Sequence, residues 1–242
     1  MIRISFHGLT DVGLKRSNNE DMLAMEPSLG YWAVADGMGG EAAGEVASRI
    51  FIETAHEVFS RGVPDAMPKD LVGAVFGSAN AKIISQAKEH REYDGMGCTA
   101  ELITYHGEDY HLGHVGDSRT YIYRNGQLRQ ITRDHSFVQD QVDRGLITRE
   151  EARTHAYKNL ILRAVGVNEG FAIDFIKGRV LDGDLFLLCT DGLTDMVDDP
   201  VIQETLSLPR DLRSKVEKLV ELAKLGGGKD NVTLVLCQVA LS

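Results

Sequence analysis

Paired cysteines are missing from this 242-residue chain. Its three, Cys98, Cys189 and Cys237, show no C-x-x-C or comparable spacing. That excludes a disulfide framework and a paired-thiolate metal site. Each sits in an apolar, strand-like setting such as Leu187-Leu188-Cys189, where a thiol acts as a small buried hydrophobe. A chain without disulfides fits a reducing cytoplasm. No apolar run approaches the roughly 20 residues of a membrane span. The opening Met1-Ile2-Arg3-Ile4-Ser5-Phe6 lacks the apolar core of a signal peptide. Only five prolines occur, and no low-complexity block, repeat or linker stands out. Positive charge is also in deficit: 26 Lys and Arg against 36 Asp and Glu give a net charge of −10. Such a chain is a poor nonspecific binder of nucleic acid. The eight histidines contain no H-E-x-x-H spacing, and no loop alternates Asp and Asn before a closing Glu. Those absences argue against a zinc site and an EF-hand.

What is present reads as one folded domain over 1–242, a length that can bury a sizeable core. Ile2, Ile4 and Phe6 alternate with polar residues as in a half-buried strand. A second strand, Gly30 to Ala35, runs into Asp36-Gly37. Helical spacing predicts helices from about Gly44 to Ser60, Pro68 to Lys88 and Asp211 to Leu225. Strands are expected over 98–105, 110–115, 121–123, 128–131, 173–180, 184–190 and 231–239. Asn125-Gly126 marks a hairpin. Residues 136–158 read as a small polar helical insertion broken at Gly145. Thr148 and Glu151 there form a capping-box pattern. Strands and helices come in groups, which indicates an α+β fold.

Several aspartates lie where an apolar strand gives way to glycine: Asp36-Gly37, Asp191-Gly192 and Asp117 after Gly116. Asp230 opens a strand after three glycines. One Asp-Gly alone marks a turn. Four carboxylates gathered at strand ends would repel unless cations lay among them, and an all-oxygen set suits hard divalent ions. Residue types alone leave both readings open.

A series of segments narrows the choice. It comprises Thr10-Asp11-Val12-Gly13 through Asn19-Glu20-Asp21, Ala35-Asp36-Gly37-Met38-Gly39-Gly40, Gly95-Met96-Gly97-Cys98-Thr99-Ala100 and Val115-Gly116-Asp117-Ser118-Arg119. It continues with Thr132-Arg133-Asp134-His135-Ser136, Asn159 to Gly166, Cys189-Thr190-Asp191-Gly192-Leu193 and Lys229-Asp230-Asn231-Val232-Thr233. In this order they resemble the motifs of the metal-dependent protein phosphatases of the 2C type, in their short bacterial form. No single segment is specific; the ordered set, from Thr10 to Thr233, is. The resemblance implies a β-sandwich of two antiparallel sheets flanked by pairs of helices, a four-layer α-β-β-α arrangement. It implies a serine/threonine protein phosphatase that uses Mn2+ or Mg2+, two ions and a weaker third. A water bridging the two ions would attack phosphorus directly, with no phosphoenzyme.

By that resemblance Asp36 bridges the two ions, with the Gly37 carbonyl on one and Asp191 and Asp230 on the other. Glu20 and Asp21 act through waters. Asp117 joins Asp191 at the third site. Arg16 grips the substrate phosphate, a task that suits a planar guanidinium. Asp134, His135, Ser118 and Arg119 are expected to shape the surroundings. Two family positions differ: Met38 and Glu41 stand where relatives carry histidines proposed or placed near the leaving group, so no general acid is assigned. Residues 136–158 resemble the bacterial flap, with His155-Ala156 in place of His-Pro. Expected partners are phosphorylated proteins and a cognate Ser/Thr kinase, with no nucleic acid or membrane insertion, and the chain is expected to be a monomer. A hydrolase of small phosphoesters would use the same residues. A phosphoprotein-binding pseudophosphatase would lack the aspartates present here.

Overall fold

The computed structural model describes residues 2–62, 66–170 and 172–241, with side chains for all but 40–42. Among the described residues, ten strands form two antiparallel sheets. In chain order they are β1 (Ile2–Asp11), β2 (Asp21–Glu26), β3 (Tyr31–Met38), β4 (Gly97–His106), β5 (Asp109–Val115), β6 (Arg119–Arg124), β7 (Gln127–Gln130), β8 (Asp174–Arg179), β9 (Leu185–Cys189) and β10 (Val232–Leu241). One sheet has the order β1-β10-β9-β6-β7 and the other β2-β3-β4-β5-β8. The helices are α1 (Gly40–Arg61), α2 (Pro68–Glu89), α3 (Phe137–Asp143), α4 (Arg149–Thr154), α5 (Asp191–Thr194), α6 (Asp199–Ser207) and α7 (Leu212–Leu225).

Alternation along the strands builds three apolar layers. Trp32, Val34, Ile103 and Leu112 from one sheet meet Phe186, Leu188, Val235 and Cys237 from the other, forming the seam between them. The opposite faces of the same strands point outward. Ala33, Ala35 and Leu102 pack under Phe51 of α1 and Phe76 of α2, whose rings meet edge to face at 5.0 Å. Leu187, Leu234 and Leu236 pack under Ile202 of α6 and Val216 and Leu219 of α7. The result is the four-layer α-β-β-α arrangement. All three cysteines are free and buried, within β4, β9 and β10.

Local chemistry explains the connections. Asn125 and Gly126 turn between β6 and β7 with φ of 51° and 80°. These are the positive values that a two-residue hairpin needs, and Asn and Gly tolerate them. Thr148 and Glu151 cap α4 reciprocally, as the pattern implied. Asp211 accepts from the Ser214 N–H to start α7. Three expectations need correction. Helix α1 begins at Gly40, not Gly44, so it follows the Asp36 segment almost directly. Strand β2 and helix α6 were not expected. Asp21-Met22-Leu23-Ala24-Met25-Glu26 has little β-branched character and is a strand because it pairs with β3 along its length. Helix α6 carries Pro200 in its first turn, a position where the missing N–H costs nothing.

Phe186 is fully buried in the inter-sheet seam, against Tyr105 and Tyr110. Phe186→Ala is expected to lower unfolding stability by about 3–5 kcal/mol. Urea denaturation checks this; a loss below about 1 kcal/mol would show that the seam is not where stability resides.

Candidate active site

The beginnings of β2 and β10 and the ends of β3, β5 and β9 converge at one end of the sandwich. There they wall a cavity of about 670 Å³. Arg16, Glu20, Asp36, Gly37, Asp117, Asp191 and Asp230 all line it. Of the residues expected to hold metal or phosphate, only Asp21 is not in the cavity lining. Asp21 pairs in register with Asp36 across β2 and β3 but is buried behind the cavity wall, where its carboxylate accepts from the Thr190 hydroxyl at 2.9 Å.

The backbone here is tightly held. The Gly37 N–H donates to the Glu20 carbonyl at 3.1 Å, and Ser48 Oγ donates to the same carbonyl at 2.6 Å. A Cβ on Gly37 would lie 2.1 Å from the Gly44 carbonyl oxygen, so any other residue would push α1 off the site. Asn231 contributes a role the sequence did not reveal. Its Oδ1 accepts from the Glu20 N–H at 2.8 Å, and its Nδ2 donates to the carbonyls of Val12 and Asn18. It thereby ties the Arg16 loop to the start of β10. Thr99 supports the floor, donating or accepting with Ser118 at 2.6 Å and accepting from the Asp36 N–H at 3.3 Å. Arg119 grips Asp134 with two of its nitrogens. His135 Nδ1 accepts from the Gly116 N–H next to Asp117. These contacts hold the backbone and side chains around Asp117.

Electrostatically the cluster is under-compensated. Burial, then the charges of Asp21, Asp191, Asp117 and Asp230, push the Asp36 carboxyl well up. Burial and then Asp191 and Asp134 do the same to Asp117. Asp191 is raised to about 7 by burial, Asp195 and Asp230, and Asp21 to about 7 chiefly by burial. Glu20 is raised by burial, with Asp230 and Glu45 adding to the effect. Arg16 is the cation at the rim. It donates to Asp230 at 2.8 Å, is half exposed, and its own pKa is raised by that bond. Asp191 Oδ1 is buried with no hydrogen-bond partner among the described residues.

A buried, unpartnered carboxylate oxygen beside three other carboxylates is the donor chemistry that a hard divalent cation satisfies. Among the described residues no three His, Cys, Asp or Glu side chains close into a ready-made cage. Magnesium-like ions do not require one, since they keep several waters and use one or two carboxylates each. The residues present fit such ions. Met38 lines the cavity, whereas the Glu41 side chain lies outside the described residues.

Comparison with known proteins agrees with this geometry. A family model described as protein phosphatase 2C matches residues 15–224. Serine/threonine protein phosphatase PstP of Mycobacterium tuberculosis is 42% identical over 231 residues, 95% of this chain. The chain spans only 44% of PstP's length. Serine/threonine phosphatase stp of Listeria monocytogenes is 32% identical over 235 residues, covering 95% of this chain and 93% of that protein. The crystal structure of M. tuberculosis PstP/Ppp is similar with a TM-score of 0.91 at 38% identity, covering 100% of both chains. The PstP catalytic domain in complex with two manganese ions gives 0.89 at 38% identity, again with 100% of both chains covered.

Asp21 and Asp191 bind protons more tightly folded than unfolded, where a carboxyl titrates near 4. Their contribution is fully present below about pH 4 and is lost as pH rises through about 7. The thermal midpoint of the metal-free protein is expected to fall between pH 5 and pH 8, and to fall less in Asp191→Asn. Calorimetry across that range checks it, and a wild-type midpoint that rises with pH would refute the electrostatic picture.

Proposed function

Because the chain belongs to the protein phosphatase 2C family, we propose that it is a metal-dependent serine/threonine protein phosphatase. The observation that carries the reading is one cavity lined by Asp36, Asp117, Asp191, Asp230 and Arg16. In this reading Asp36, Gly37, Asp191 and Asp230 hold two Mn2+ or Mg2+ ions. Asp117 with Asp191 offers a third position, and Glu20 acts through water. Asp21 lies behind the wall and serves by holding β2 to Thr190. When bound, the ions supply Lewis acidity to phosphoryl oxygens and bring the pKa of water toward neutrality.

The chain's own groups do the rest. Arg16 spends one N–H on Asp230 and has four more donors in a planar fork to offer phosphate oxygens. The Asp36 and Asp191 carboxylates are fixed at strand ends, so their placement costs no reorganisation during the reaction. Asn231 and Gly37 hold the Glu20 backbone in place. All three cysteines are buried within strands and burial pushes their thiols up, so none is a ready thiolate nucleophile.

Phosphoserine and phosphothreonine in proteins are the proposed substrates, and the kinase that makes them the proposed partner. A monomeric working unit and a single catalytic domain over 1–242 are part of the same proposal. Residues 136–158, carrying α3 and α4, are the proposed flap beside the cavity. Among the described residues no helix is long and apolar enough to cross a membrane, and the three free cysteines support a cytoplasmic setting.

Hydrolysis of p-nitrophenyl phosphate and of a phosphothreonine peptide, with Mn2+ and then with chelator, tests the reading. Both activities are expected to need the metal. Asp36→Asn and Asp191→Asn are each expected to lose more than the roughly 10–100-fold typical of an outer-shell metal partner. Metal-independent turnover, or unchanged rates in either variant, would overturn it. Turnover of small phosphoesters with none of the peptide would instead favour a small-molecule hydrolase.

A further inference from the structure

One wall of the cavity is a short extended stretch whose outer edge is bare. The Phe137 N–H donates to the Leu160 carbonyl at 2.8 Å, and the Leu162 N–H donates to the His135 carbonyl at 2.7 Å. These bonds bracket an antiparallel bridge between Ser136 and Ile161. In a pair of this kind the N–H and C=O of the central residue point away from the partner strand. Among the described residues, neither the Ile161 N–H nor its C=O has a protein partner.

The side chains alternate as a strand's do. Asn159 and Ile161 line the reaction cavity. Leu160 and Leu162 lie on the other face, 48% and 52% exposed. Tyr157 is exposed just before them, and the chain bends at Leu162 before Val165 pairs with Cys98. An open backbone edge is a template for another strand, and this one borders the place where a phosphoryl group would sit.

We propose, resting on the phosphatase reading above, that the substrate docks as an extended segment of phosphoprotein adding an antiparallel strand at Ile161. The phosphorylated residue lies opposite Ile161 and exchanges both backbone hydrogen bonds with it. Directly opposed residues share a face, so this register sends the phosphorylated side chain into the cavity with Ile161 and Asn159. Its two immediate neighbours then fall on the outer face, across from Leu160 and Leu162. Main-chain bonds give affinity in this mode, and alternate side chains give selectivity. The occupant therefore carries apolar residues on both sides of the phosphorylated one. An antiparallel arrangement satisfies both free groups of Ile161 with a single residue, whereas a parallel one would need two.

The test uses the full chain with Mn2+ and a set of phosphothreonine peptides. In one the flanking residues are valine; in a second they are aspartate. Two further valine-flanked peptides carry an N-methyl group, either on the phosphothreonine amide or on the amide of the next residue. Methylation at phosphothreonine is expected to raise KM about tenfold, because that N–H donates to Ile161. Methylation one residue on, where the N–H faces away, is expected to leave KM unchanged. Wild-type protein is expected to favour valine flanks about tenfold in kcat/KM, and that ratio is expected to approach one in L160S/L162S. Equal effects of the two methyl groups, no effect of either, or a ratio that persists in L160S/L162S would overturn the docking mode. Wild-type turnover of p-nitrophenyl phosphate assigns the blame: if it is present, docking alone has failed, and if it is absent, both readings fall.

Discussion

Four aspartates held at strand ends around one cavity repel one another, and the fold gives them little relief. The two sheets place Asp36, Asp117, Asp191 and Asp230 at a common end of the sandwich. Three of the four are held by backbone structure: Asp36 by the β3–β4 register, Asp191 by the start of α5 and Asp230 by the turn into β10. Arg16 offsets part of the charge from the rim, but one guanidinium cannot balance four carboxylates. Burial first, and then the neighbouring carboxylates, raise the proton affinities of Asp36, Asp117 and Asp191. Either protons or cations must complete the site, and at neutral pH divalent cations compete well for oxygen donors of this kind.

The rest of the architecture can be understood as what keeps this repulsive cluster in place. Three apolar layers fix the strands, so their ends cannot splay apart to relieve the charge. Gly37 lets α1 approach the site within backbone contact. Asn231 and Thr99 lock loops and strands that would otherwise yield. Stability is thus invested in a site that is electrostatically unfavourable alone, a common pattern where function demands it.

Much of this was legible in the sequence, for physical reasons. Alternation and helical spacing marked most strands and helices, because each element buries one face. The Asn125-Gly126 turn and the Thr148 cap were readable because their chemistry is local. Strand β2 was not, since Met, Leu, Ala and Glu carry no strand preference of their own and the pairing with β3 decides. Helix α6 was obscured by an Asp-Asp-Pro opening that also suits a turn. Within the site, adjacency could not separate Glu20 from Asp21. Glu20, just before β2, lines the cavity, whereas Asp21 is buried against Thr190, a difference set by the tertiary contacts around them. Asn231 lay inside a recognised segment, but its bonds span more than 200 residues of sequence, and no local pattern encodes them.

An acidic pocket of this kind encloses divalent ions. Anomalous diffraction from crystals grown with Mn2+, measured at the manganese edge, addresses it most directly. Two strong peaks are expected within the pocket, among the carboxylates of Asp36, Asp191 and Asp230. A pocket with no anomalous signal at saturating Mn2+, or manganese found only on surface carboxylates elsewhere, would contradict it.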